Sequence, residues 1–129
     1  AMNKILNRRF LYLKTSRLAQ VLAPIEIVDK FVEQSRYLAI STDSVIILKN
    51  KSQEDYWVGR EVIGHDPSLK ETLDLSVIDL APADCHVQMY NVPDYKQLEE
   101  VITEGFLRFN CQSCRVLTTS FLEFECYFY

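Results

Sequence analysis

The chain has little glycine and little histidine, and each shortage excludes a class of function. Only three of the 129 residues are glycine, which is too few for the glycine-rich loop that holds a nucleotide phosphate. Only two are histidine, so metal enzymes that need several imidazole ligands do not fit. No serine lies in a nucleophile elbow. We therefore expect a protein that is not an enzyme and has no cofactor.

Long apolar runs and an excess of basic residues are also missing. No stretch approaches the ~18 consecutive apolar residues that cross a membrane. Residues 1–17 are basic, but the apolar run of a signal peptide does not follow them, so we expect a cytoplasmic protein. The formal net charge of −4 disfavours direct nucleic-acid binding, which needs a field of Lys and Arg. It suits attraction to a basic protein.

Length and periodicity predict one domain over residues 2–129. The chain is 48% hydrophobic and 25% charged, which is ordinary for a globular protein, and it shows no linker and no internal repeat. Helical spacing predicts one helix that begins at Pro24 and another that Asp94 caps and Asn110 ends. The β-prone runs predict about five to six strands. The expected fold is α+β, with a mostly antiparallel sheet and helices packed on one face.

The middle of the chain predicts an antiparallel meander. The runs 37–40 and 45–48 read as a hairpin, and a strand from Tyr56 to Ile63 follows, in which Gly59 indicates a bulge. Trp57 in that strand is expected in the core. Residues 64–84 are harder to interpret: Pro67 could open a short helix through Leu73, with an edge strand or an ordered loop after it.

Cys111 and Cys114 have the C-x-x-C spacing of redox and zinc sites. The pair follows a helix, whose negative end disfavours a reactive thiolate. A zinc site needs two further ligands, and the candidates are Cys85, His86 and Cys126, with His65 further away. We predict instead a turn between a helix and a strand with two buried or half-buried thiols, and no metal.

The last predicted strand separates apolar side chains from acidic and aromatic ones. Because side chains alternate along a strand, one face carries Leu122, Phe124, Cys126 and Phe128. The other face carries Glu123, Glu125, Tyr127 and Tyr129. Rings beside carboxylates suit a surface that a basic partner covers. We predict this second set as the partner-binding group, and the helix carboxylates Glu99, Glu100 and Glu104 as an extension of it.

In general character, the chain resembles bacterial toxin-immunity proteins, which are small, acidic and poor in motifs. The resemblance implies an inhibitor that masks a basic toxin such as a nuclease, whose substrate groove needs cationic residues. We therefore predict a toxin-neutralising, antitoxin-like protein. The alternative is a small-ligand-binding or enzymatic α+β domain with its site around His65, Asp66 and His86, since histidine is the usual acid–base group near neutral pH.

Overall fold

The structure is a computed structural model that describes residues 2–5, 8–40, 44–67, 75–120 and 122–129. Its elements are β1 (Met2–Ile5), β2 (Arg8–Thr15), a 3-10 turn (Leu18–Gln20), α1 (Leu22–Gln34), β3 (Leu38–Ala39), β4 (Ile46–Asn50), β5 (Tyr56–Ile63), β6 (Ser76–Leu80), β7 (Ala83–Asn91), α2 (Tyr95–Phe109), β8 (Ser113–Ser120) and β9 (Glu123–Phe128). Within these ranges, no helix has the length and apolar character needed to span a membrane.

Eight strands pair in the order β1-β7-β9-β8-β4-β5-β2-β6, and β3 pairs with the end of β5. All of the pairings described are antiparallel. The predicted α+β class with an antiparallel sheet is therefore confirmed, but the prediction of five to six strands is wrong. One cause lies in β2, where the four residues from Phe10 to Leu13 are all buried. A strand buried on both faces shows a continuous apolar run, which periodicity cannot distinguish from a helix.

The strand order repeats in the two halves of the chain. The first half is a βαββ unit made of β2, α1, β4 and β5, with β6 at its edge, and the second is made of β7, α2, β8 and β9, with β1 at its edge. The order β6-β2-β5-β4 thus matches β1-β7-β9-β8. Since β4 and β8 pair antiparallel at the centre, an approximate two-fold rotation relates the halves. The sequence shows no corresponding repeat, so this symmetry appears only in the topology.

Both helices pack on the same face of the sheet, as predicted. Ile47 of β4 lies opposite Val58 of β5 and Val116 of β8, so all three point to one side. They share a buried cluster with Ile102 of α2, and Val28 of α1 packs on β2 and β5. The main core therefore lies between this face and the helices.

The sheet curls strongly toward its other face. In a flat sheet of this order, β6 and β7 would lie six interstrand steps apart, or about 29 Å. Yet only Ala81 and Pro82 separate Leu80 from Ala83, and three peptide units span at most about 11 Å. The two ends of the sheet must therefore approach each other.

The link between β6 and β7 passes over the side of the sheet that points away from the helices. Arg115 precedes Val116 and so points to that side, where its Nη2 donates to the carbonyl oxygen of Ala81 at 2.5 Å. We call this side the concave face. It is lined by Phe10, Tyr12, Leu48, Trp57, Leu80, Arg115, Leu117, Glu125 and Tyr127.

Local predictions have mixed outcomes. The strand from Tyr56 to Ile63 is confirmed as β5, and the edge strand is confirmed as β6. The hairpin is wrong, because β3 and β4 both pair with β5. The Asp94 side chain accepts from the Gln97 amide at 2.8 Å, and Asn110 has a φ of 51°, so both helix ends are confirmed. The helix expected after Pro67 lies outside the described residues.

Candidate functional site

Two neighbouring rows of paired residues cross the concave face from β9 to β2. One row is Tyr127, Arg115, Leu48, Trp57 and Lys14. The next row is Glu125, Leu117, Ile46, Gly59 and Tyr12. On β9 the rows end in the Tyr127 phenol and the Glu125 carboxylate. On β5 and β2 they carry the rings of Trp57 and Tyr12, with Lys14 next to Trp57. Because the sheet curls, these two ends turn toward each other across the concave face.

The aromatic end is a ladder of stacked rings. Phe10 and Tyr12 stack with centroids 5.0 Å apart, and Tyr12 and Trp57 stack at 4.5 Å with their planes 5° apart. The Lys14 ammonium lies 5.4 Å from the Trp57 ring centre. Phe10 and Tyr12 are buried, whereas Trp57 is half-buried. The ladder therefore ends in the half-buried Trp57 ring, with the Lys14 ammonium close to it.

Gly59 allows β2 to come close to β5 at this ladder. A Cβ at this position would lie 1.8 Å from the backbone oxygen of Leu11, a contact that no side-chain movement can relieve. Gly59 is also the residue opposite Tyr12, so no side chain competes there with the stacked rings. Pairing with β2 and β4 is unbroken at Gly59, so the predicted bulge is wrong. The glycine marks a close approach of two backbones instead.

The acidic end combines a carboxylate with a phenol. Glu125 and Tyr127 are both half-buried, and the Tyr127 hydroxyl donates to Glu125 Oε2 at 2.5 Å. Glu123 lies two residues earlier on the same side of β9. The structure therefore brings Glu123, Glu125 and Tyr127 of the predicted partner-binding group together on the concave face, where two acids can attract a positive charge.

Arg115 lies on the next strand, with Tyr129 as its neighbour. Its side chain is buried, with 6% of the residue exposed. Nε donates to the Tyr129 hydroxyl at 2.7 Å, and the guanidinium carbon lies 4.9 Å from the centre of that ring. Burial raises the pKa of Tyr129 above its usual 10.0, although Arg115 opposes the shift. Tyr129 is therefore a neutral phenol near pH 7, and it supplies no negative charge to the guanidinium.

The helix carboxylates do not extend this surface. Because α2 packs on the opposite side of the sheet, Glu99, Glu100 and Glu104 lie away from the concave face and line a surface groove of about 590 Å³. Glu99 accepts from the Leu18 amide at 2.7 Å and from Arg17 Nη1 at 3.2 Å. Glu99 therefore caps the 3-10 turn, since the side chain of the N-cap residue Arg17 makes no capping hydrogen bond.

The alternative site around the two histidines is divided between the halves of the fold. His86 of β7 points to the helix side and stacks on Phe109 with centroids 5.0 Å apart. His65 follows β5 and lines a small groove beside Arg9. Asp66 is buried and accepts from the Arg36 amide at 2.8 Å. Each of these three residues therefore takes part in a different local contact.

The four cysteines are buried thiols. Cys111 follows α2 and Cys114 lies in β8, which confirms the predicted turn with two buried thiols. Burial raises the pKa of both thiols, so each is less reactive than an exposed cysteine. Across the described ranges, no group of three or more His, Cys, Asp or Glu side chains could hold a metal ion.

Sequence reasoning missed three residues of the concave face. Trp57 was expected in the core, and it does pack, half-buried, against the small buried cluster that contains Phe10 and Tyr12, but its place on this face was not foreseen. Tyr12 lies in an apolar run whose two faces look alike in sequence. Arg115 stands between Cys114 and Val116, which are both buried on the helix side. A charged residue in an otherwise buried strand is the signal that marks it.

Comparisons with known proteins identify the fold and no family. No family model matches the chain, and no curated protein does. The structure is similar to that of the EcmrR C-terminal domain, with a TM-score of 0.66 and 9% identity over 99% of this chain and 94% of that one. It is also similar to that of SAV2435 bound to tetraphenylphosphonium, with a TM-score of 0.50 and 12% identity over 99% of this chain and 91% of that one. At these identities the likeness concerns the fold alone.

Proposed function

We propose that this domain binds a small aromatic cation on its concave face. The observation that carries the proposal is the arrangement of the rows, in which stacked rings on β2 and β5 and carboxylates on β9 share one curled surface. Binding pockets for small molecules combine apolar and aromatic walls with a few polar groups in fixed positions. Here the half-buried Trp57 would supply the wall and Glu125 the polar group.

The chemistry of the face favours a positively charged ligand. Glu123 and Glu125 are two carboxylates at neighbouring positions of β9, and the Tyr127 hydroxyl holds Glu125 in one orientation. A cation over an aromatic ring gains further attraction from the ring electrons, and Trp is the best ring for this purpose. The ligand in the SAV2435 structure, tetraphenylphosphonium, is an aromatic cation, which supports the same ligand class for this chain.

Isothermal titration calorimetry with tetraphenylphosphonium tests the proposal. We expect saturable binding, weakened about 5- to 30-fold in Glu125→Gln, because the amide keeps the shape of the side chain and loses its charge. Trp57→Leu should weaken binding by a similar factor through loss of the ring. Glu104→Gln on the exposed side of α2 is the control and should bind as the wild type does. Absence of saturable binding by the folded wild type would refute the proposal.

A basic protein partner is the second candidate, and it remains compatible with the same acids. Its supporting observation is that Glu123, Glu125 and Tyr127 lie together on the side of the sheet away from the helices. The immunity-type inhibitor predicted above would then place a Lys or Arg of a toxin against them.

Charge reversal on β9 tests this second candidate. We expect Glu123→Lys with Glu125→Lys to abolish capture of a basic partner while the melting temperature stays nearly unchanged. Glu100→Lys with Glu104→Lys on α2 is the matched control. Binding through these partly exposed acids should also weaken with added salt. Normal capture by the β9 variant would rule this surface out.

A further inference from the structure

We infer that the concave face binds the ligand at two points, and that Arg115 is the second of them, recognising a carboxylate carried by the same aromatic cation. This inference rests on the proposed function, since it uses the same face and the same acid. The ligand class is thereby narrowed to an aromatic zwitterion, with its positive charge near Glu125 and its negative charge at the guanidinium of Arg115.

The first argument is that Arg115 has a buried donor to spare. A guanidinium carries five N–H groups in a planar fork. Nε donates to Tyr129 and Nη2 donates to the Ala81 carbonyl oxygen, but Nη1 is buried and has no hydrogen-bond partner in the described part of the chain. Buried polar groups are nearly always satisfied, so Nη1 leaves room for an acceptor that the described residues do not supply.

The second argument is that both hydrogen-bond partners of Arg115 are uncharged. One is a backbone carbonyl oxygen, and the other is a phenol whose pKa burial raises. Buried arginines are normally paired with a carboxylate or phosphate, which the planar fork matches in shape. The other buried arginine in the described residues, Arg60, follows this rule, since Asp29 binds its Nε at 2.9 Å and its Nη2 at 3.1 Å. Arg115 carries the same guanidinium, but no carboxylate of the described residues is hydrogen-bonded to it.

The third argument is the position of Arg115 relative to the acid. Arg115 lies directly opposite Tyr127, and Glu125 is the next residue on that side of β9. Diagonal neighbours of this kind have Cα atoms about 7–8 Å apart, which is the scale of one aromatic ring with substituents at both ends. Glu125 accepts a hydrogen bond from Tyr127. The Glu125 carboxylate can then bind the positive group of the ligand while the Arg115 guanidinium binds its negative group.

A pair of related probes separates the two points of attachment. Tetraphenylphosphonium carries the positive charge alone, whereas (4-carboxyphenyl)triphenylphosphonium adds one carboxylate. We expect the wild type to bind the carboxylated probe at least about tenfold more tightly in calorimetry, as a charge-assisted hydrogen bond allows. In Arg115→Met this preference should fall to about one, while tetraphenylphosphonium still binds.

Two further variants test whether a lost preference for the carboxylated probe reflects misfolding instead of the missing guanidinium. Arg115→Lys keeps the buried positive charge without the fork and should retain only part of the preference. Arg108→Met on the exposed side of α2 should keep all of it. Side-chain NMR of the ¹⁵N-arginine-labelled wild type should show the Arg115 signal moving with the carboxylated probe and not with tetraphenylphosphonium.

The possible results distinguish the two hypotheses. If tetraphenylphosphonium binds and the carboxylated probe binds no better, the role of Arg115 is refuted while the proposed function stands. A preference that survives in Arg115→Met, or an Arg115 signal that ignores the carboxylate, refutes it as well. If neither probe binds the folded wild type, the proposed function fails and this inference fails with it.

Discussion

Gly105 is a contact point between α2 and β9 where even one added carbon has no room. A Cβ there would lie 2.1 Å from Cζ and 2.3 Å from Cε1 of Phe128. The Phe128 ring is fully buried between Phe106 and Phe109, so it cannot move aside. We expect Gly105→Ala to lower the free energy of unfolding by about 1–3 kcal/mol in urea titrations, although alanine favours a helix by ~1 kcal/mol.

The control for this change is Glu104→Ala, one residue earlier and exposed. An exposed helix position should change the free energy of unfolding by less than about 0.5 kcal/mol. A Gly105→Ala protein as stable as this control would mean that α2 and β9 are not packed so closely.

Ionisation of Tyr56 makes the free energy of unfolding depend on pH in the alkaline range. Burial raises its pKa from 10.0 to about 12, with a further contribution from Glu99 and an opposing one from Arg17. The folded protein therefore holds the phenol proton more tightly than the unfolded chain does. The resulting stabilisation is complete below pH 10 and is lost as the pH rises toward 12.

Comparison with Tyr56→Phe isolates this effect, because the ring remains and the other titrating groups cancel. We expect the difference in free energy of unfolding, wild type minus variant, to stay nearly constant from pH 9 to about pH 10 and to decrease from there to pH 11.5. Urea titrations at several pH values measure it. A difference that stays constant over this range would show that Tyr56 ionises in the folded protein as it does in the unfolded chain.

Individual residues were predictable where a local rule determines them. Asp94 and Asn110 were identified correctly because capping depends on neighbours within a few positions. The face occupied by Glu125 and Tyr127 was also correct, because alternation within one strand is local. Trp57 and Arg115 were not recognised, because the surroundings of each depend on how a distant strand curls across the sheet.

At the scale of elements, α1 is attached to the sheet by one charged pair as well as by its apolar side. Arg60 of β5 is buried and binds Asp29 through two nitrogens, and its Nη1 donates to the Ser44 carbonyl oxygen at 2.8 Å. The Asp29 side chain is 44% exposed, so solvent screens part of the attraction. The guanidinium, in contrast, depends on this partner for neutralisation.

We expect Asp29→Asn to lower the free energy of unfolding by about 1–3 kcal/mol, because it leaves the buried Arg60 charge without its anion. Urea titration measures the change, and Glu26→Gln on the exposed side of the same helix serves as the control. If both variants lowered the free energy of unfolding by the same small amount, the Arg60–Asp29 pair would contribute no more than an ordinary surface salt bridge.

The order of the strands could not be predicted from the sequence, because it depends on pairing between segments that are far apart in the chain. Edge strand β6 was recognised as an element, but its partner β2 lies about 65 residues earlier in the chain. Nothing local to β6 indicates that pairing, or that the link of Ala81 and Pro82 must bring the two ends of the sheet together. The candidate site depends on that link, so only its β9 part was predictable.

At the scale of the whole molecule, the two βαββ halves share one core. Tyr56 and Leu18 of the first half pack in the same buried cluster as Leu98 and Phe124 of the second half. The sheet is also continuous through the β4–β8 pairing at the centre. Neither half keeps its own buried surface when the other is lost, so each depends on the other for stability.

We therefore predict that the halves unfold together, and the chain supplies a separate reporter for each. Its single tryptophan, Trp57, lies in the first half, and all four cysteines lie in the second half. Trp57 fluorescence and thiol labelling should give coincident urea midpoints, with circular dichroism as the reference for the whole fold. Two resolved midpoints would show that the shared cluster does not couple the halves. Because the concave face takes residues from both halves, tetraphenylphosphonium should raise both midpoints equally.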